Sequence, residues 1–185
     1  MKENAARSQL HHSPSNLFNM KKLILFFALT CTFSSIFAQT QFFSPLSADP
    51  VGPNGPASNK VKVTTYCCPS TAVEVSTNVP VGENDFQWIN IPLDGLDAGP
   101  IGKLVVCYQI QGTGGSYISQ TRLTEMMAPN AAAVKVDDPT DLNSTVPTCF
   151  STRAGYVVGG TTTLSLKVVL RPGDKIIIGG ITIAR

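Results

Sequence analysis

The chain has 185 residues, 43% of them hydrophobic and only 14% charged, with a formal charge of +2. That is enough chain and enough apolar side chain for one domain with an ordinary core. The charge is too low for a disordered polyelectrolyte and too balanced for a nucleic-acid binder.

Residues 23–30 form an apolar run directly after Lys21 and Lys22, and small residues lead to Ala38 before Gln39. A basic start, a short apolar stretch and a small residue at the cut describe a secretory signal peptide at 20–38. The run is too short to span a bilayer, which takes roughly 20 apolar residues. Met20 stands immediately before the lysine pair, so residues 1–19 read as an upstream extension of the true start. The expected destination is therefore secreted or periplasmic, without a transmembrane segment.

Both histidines, His11 and His12, lie within residues 1–38, as do four of the fourteen basic residues and one of the twelve acidic ones. Residues 39–185 are then left with a net charge near −1 and no histidine. That excludes Ser-His-Asp and Cys-His catalysis, histidine zinc sites and histidine pH switches. An enzyme would have to rely on carboxylates. Glu74, Glu83, Asp85 and Glu125 are available, but nothing in their spacing selects a pair for glycoside hydrolysis.

Residues 39–59 hold four prolines and two glycines among Ser and Asn, the composition of an extended linker or N-terminal arm outside the core. From Val61 the pattern is β throughout, and residues 60–185 read as a single domain. Val61, Val63 and Thr65 alternate with Lys62 and Thr64, and Val73, Val75 and Thr77 with Glu74 and Ser76. Longer strands are expected at 86–93 and 101–111, and shorter ones at 116–125, 132–136 and 147–153. At 161–170, Leu164, Leu166, Val168 and Leu170 share one face, the period of a half-buried strand. Arg171-Pro172-Gly173-Asp174 follows as a turn. Residues 175–184 are expected to pair back as a hairpin, with Ile177, Ile181 and Ile183 on one face and a bulge at Gly179-Gly180. Pro129 stops any helix at 120–128. Eight or nine such strands describe an all-β antiparallel sandwich of jelly-roll type.

Four cysteines lie in this part: Cys67, Cys68, Cys107 and Cys149. An even count in an exported chain reads as two disulfides. A bond between neighbours would strain the peptide unit, which favours Cys67 and Cys68 each reaching one of Cys107 and Cys149. The alternative is a Cys107–Cys149 bond, with Cys67 and Cys68 free or joined to each other. Closing a loop of roughly 40 residues is worth about 3–4 kcal/mol in the chain-entropy model.

The segments Val105-Val106-Cys107-Tyr108-Gln109, 116–123, Asp137-Asp138-Pro139-Thr140-Asp141-Leu142 and Cys149-Phe150 resemble a group of small bacterial proteins. The resemblance covers about residues 86–185. It implies a compact autonomous domain and a Cys107–Cys149 pair, and it carries no activity.

Candidate binding residues follow from parity and position. With Ile89, Ile91 and Leu93 facing the core, Phe86 and Trp88 point outward, as aromatics do on sheets that stack sugar rings or hold a partner. Tyr117 and Tyr156 lie beside glycines, where tyrosines make binding contacts, whereas Tyr108 shares the core parity. Asp137, Asp138 and Asp141, with Asn143 nearby, offer oxygen ligands suited to calcium, although their spacing is not that of an EF-hand. The expectation is a secreted, non-catalytic β-sandwich that binds carbohydrate or a surface protein. The alternative is a structural subunit of a surface homo-oligomer, assembled through the 39–59 arm and exposed strand edges.

Overall fold

The computed structural model describes residues 39–67, 71–129 and 131–185. The expected signal peptide and upstream extension lie outside these residues, as does Cys68. Eleven strands are described: β1 (Thr40–Phe43), β2 (Asp49–Val51), β3 (Val61–Tyr66), β4 (Ala72–Thr77), β5 (Trp88–Pro92), β6 (Gly99–Gln111), β7 (Tyr117–Ala128), β8 (Ala131–Asp138), β9 (Thr148–Val158), β10 (Thr161–Val169) and β11 (Lys175–Ala184). All pairings are antiparallel. The back sheet runs β3-β4-β11-β6-β9, with β1 also on β11, and the front sheet runs β2-β5-β10-β7-β8.

The two sheets close on one core. Val73 and Val75, Ile176, Ile178, Ile181 and Ile183, and Leu104, Val106, Tyr108 and Ile110 come from the back sheet. Ile89, Ile91, Leu164, Leu166, Val168, Ile118 and Leu123 come from the front. Each buried aliphatic side chain contributes about 1.5–3 kcal/mol, so the alternation that places them inward also dictates what faces solvent. Tyr108 is buried as its parity implied, and its hydroxyl accepts the Ser144 N–H at 3.3 Å.

Four expectations need correction. Residues 39–59 are part of the sandwich: β1 pairs with β11 and β2 with β5, so both sheets gain an edge strand from this segment. Its prolines are compatible with that because edge strands and flanking turns do not need every N–H.

The second correction concerns β10 and β11, which are not a hairpin. They lie in opposite sheets, each flanked by other strands, and residues 171–174 carry the chain across the core. Asp174 fixes that crossing. It is buried, and its carboxylate accepts the Ser116 hydroxyl at 2.7 Å and the Thr113 N–H at 2.9 Å. These donors hold the Asp174 carboxyl below its ordinary value.

Third, the expected bulge is present as a register shift between Ile178 and Ile181, and it reverses the parity before it. Ile176 and Ile178, not Ile177, therefore share the inner face with Ile181 and Ile183. Fourth, Cys107 bonds Cys149, its direct cross-strand partner on β6 and β9. Cys107 and Cys149 are taken up by each other, so Cys67, itself disulfide-bonded, pairs with neither; this is the alternative pairing and the one the resemblance implied.

Candidate functional site

The outer face of the front sheet collects most of the aromatic candidates. Two registered rows cross it. One runs Val51, Trp88, Lys167 and Gln120, and the next Asp49, Asn90, Ser165, Arg122 and Asp137. Five strands at about 4.8 Å spacing make a platform roughly 20 Å wide. Trp88 is partly exposed while its neighbours Ile89 and Ile91 are fully buried. The strand alternation read in the sequence therefore holds at this position.

Phe86 reaches solvent by a sharper device. Gln87 beside it is fully buried, and its side chain is satisfied: it accepts the Lys60 N–H at 2.8 Å and donates to the Ser58 carbonyl at 3.1 Å. Its backbone carbonyl accepts the Val168 N–H. Drawing Gln87 inward leaves Phe86 in the left-handed region, with φ of 49°, and half exposed. No other non-glycine among the described residues has a positive φ, a conformation that costs about 1–2 kcal/mol. The preceding turn stabilises it. Asp85 accepts the Lys60 ammonium and the Gly82 N–H, and these hold its carboxyl below the ordinary value.

Both rings carry a cation. The Arg122 guanidinium stands 4.8 Å from the Trp88 ring centroid and the Lys167 ammonium 4.7 Å from that of Phe86. Such contacts are worth about 0.5–1 kcal/mol at exposed sites. Arg122 is also ion-paired to Asp137 at 3.0 Å, and the Ser165 hydroxyl lies 2.7 Å from the Asn90 side-chain oxygen. Tyr117, at the start of β7, donates its hydroxyl to Glu83 at 2.8 Å, and that bond raises the phenol to about 12. Sequence parity could place Lys167 on the outer face of its strand. It could not pair that residue with Trp88 or Phe86, because the pairing of β5 with β10 joins segments more than seventy residues apart.

Tyr156 does not join this set. It sits in β9 of the back sheet, partly buried against the core, and burial pushes its phenol up. Lys135 approaches the ring at 5.9 Å while ion-paired to the buried Glu125. Glu125 accepts the N–H groups of Gly159 and Gly160, which hold its carboxyl below the ordinary value despite burial.

The three aspartates do not converge either. Asp137 and Asp138 are successive strand residues on opposite faces, Asp137 turned to Arg122. Burial raises Asp138, but bonds from Thr152 and Thr140 outweigh it and keep the carboxyl low. Among the described residues no group of three His, Cys, Asp or Glu is placed to hold a metal. The four carboxylates considered for hydrolysis are each engaged: Glu74 with Lys175, Glu83 with Tyr117, Asp85 with Lys60 and Glu125 with Lys135.

Among the described residues, recesses lie elsewhere. One of about 310 Å³ opens between residues 93–98 and 158–162, and one of about 260 Å³ lies along the Cys107–Cys149 bond beside Ile177. Neither is lined by Trp88 or Phe86.

Solved structures of similar fold include the CBM22-1 xylan-binding domain from Paenibacillus barcinonensis Xyn10C. It matches with a TM-score of 0.51 at 9% identity, over 80% of this chain and 94% of that one. A CBM4 structure matches with a TM-score of 0.50 at 10% identity, over 76% of this chain and 88% of that one. No protein-family model and no curated protein matches the sequence. These likenesses are of fold: the chain has the jelly-roll β-sandwich architecture of those two structures.

Proposed function

We propose that this protein is an exported, non-catalytic module that binds a polysaccharide along the outer face of the front sheet. Trp88 and Phe86 are its stacking residues, and Tyr117 borders them. The observation that carries the reading is the outward Trp88 and Phe86 pair on a sandwich of this fold. Aromatic faces suit the apolar C–H faces of sugar rings. A strained left-handed residue that exposes a phenylalanine is the kind of cost that concentrates at binding sites. The neighbours' fold, the engaged carboxylates and the absence of histidine from residues 39–185 support a binding role over catalysis. The cross-strand disulfide supports an oxidising, extracytoplasmic location.

The test is retention on insoluble polysaccharides, with Trp88→Ala as the comparison. The expected outcome is retention of the parent protein and its loss in the variant, with unchanged circular dichroism. Equal retention of both would move the site away from this face.

A further inference from the structure

The rings of the front face are not bare, and what covers them specifies the ligand. Arg122 is spoken for by Asp137 at 3.0 Å. Lys167 is not: among the described residues no carboxylate lies within ion-pair distance of its ammonium, which stands over the Phe86 ring. Lys167 stands directly opposite Trp88 on one side and Gln120 on the other. Directly opposed residues have Cβ atoms about 5 Å apart, so a sugar ring that takes the place of the Arg122 guanidinium on Trp88 lies beside the Lys167 side chain, whose ammonium stands over Phe86.

The surrounding carboxylates do not neutralise this cation. Glu83 is held by Tyr117, Asp85 by Lys60 and Asp137 by Arg122. Asp49 belongs to edge strand β2, in register with Asn90 rather than with the Trp88–Lys167 pair. Asp141 follows β8. A neutral sugar would therefore leave an unpaired ammonium under it, partly stripped of water, whereas an anionic substituent would complete the pair.

From this geometry we infer that the ligand is an acidic polysaccharide, one whose sugar stacks on Trp88 and bears an anionic group that the Lys167 ammonium beside Phe86 receives. This rests on the reading of the front face as the binding site. A carboxylate and a sulfate ester would both satisfy a point charge such as lysine's.

Binding of the full chain is compared on matched polymers. Unsubstituted xylan is set against glucuronoxylan, methyl-esterified against de-esterified polygalacturonan, and agarose against carrageenan. The expected result is a preference of about five- to tenfold for the acidic member of at least one pair, reduced by salt. The first two pairs report a carboxylate and the third a sulfate. Lys167→Met should abolish the preference while retaining weak binding, and Lys167→Arg should keep it. Equal affinity for neutral and acidic members, or a preference that survives Lys167→Met, overturns the inference and leaves the binding face standing. Retention on none of the polymers by folded protein overturns both.

Discussion

The two outer faces of the sandwich are built by the same rule and carry opposite contents. On each, alternate residues of paired strands turn away from one shared core. The front face presents Trp88, Phe86 and two cations with polar side chains between them. The back face presents a covalent link, Cys107–Cys149, beside Ile177, and an ion pair between Lys175 and Glu74. The back face is held by its own contacts. The front face uses the rings of Trp88 and Phe86 in cation–ring contacts that a ligand can replace. The difference teaches that, in a sandwich whose inner faces are alike, function is sought on the face whose costly side chains lack an internal reason to be there.

The sharpest way to separate the faces is to weaken the back one. Replacing Cys107 and Cys149 together by Ala opens a loop of 42 residues and should cost about 3–4 kcal/mol of stability. It should leave polysaccharide affinity unchanged in the protein that remains folded. Denaturant unfolding and binding isotherms on the same sample measure the two. A parallel loss of affinity would show that the faces are coupled.

Trp88→Ala tests the other side. It should reduce affinity by at least about 2 kcal/mol, the scale of an aromatic anchor, with a smaller change in unfolding midpoint. A mainly structural effect would return Trp88 to the packing of the sheet.

Between the faces lies the crossing fixed by Asp174. Its carboxyl is held below the ordinary value, so the stability it adds is present above the ordinary carboxylate range, about pH 4, and is lost as pH falls through its folded value. Asp174→Asn should therefore cost about 1–3 kcal/mol at neutral pH, and the gap to the parent should close in acid. Urea unfolding at several pH values measures it; a gap independent of pH would exclude the charge as the cause.

The smallest effect belongs to Phe42. It is 79% exposed at the edge of the back sheet, and Phe42→Ala should change stability by less than about 0.5 kcal/mol and leave binding unchanged. Binding lost there by titration would shift the site to the back sheet.

Strand periodicity is a local property, and the sequence determined it. The sandwich class, the buried Leu164, Leu166 and Val168, the outward Trp88, and the Gly179-Gly180 bulge all follow from side-chain alternation and from glycine, without knowledge of partners, whereas Phe86 is turned out by the bonds that draw Gln87 inward. Partnership is not local. An apolar face on β10 and one on β11 are satisfied equally by lying side by side or by facing each other across a core, and only the competition of β5, β7, β4 and β6 for their edges decided the second. For the same reason proline-rich residues 40–51 became edge strands, Cys107 met Cys149, Asp137 turned from Asp138 to Arg122, and Lys167 came to stand beside Trp88. Alternation says which way a side chain points; register between distant strands says what it meets, and that was decided by the tertiary structure alone.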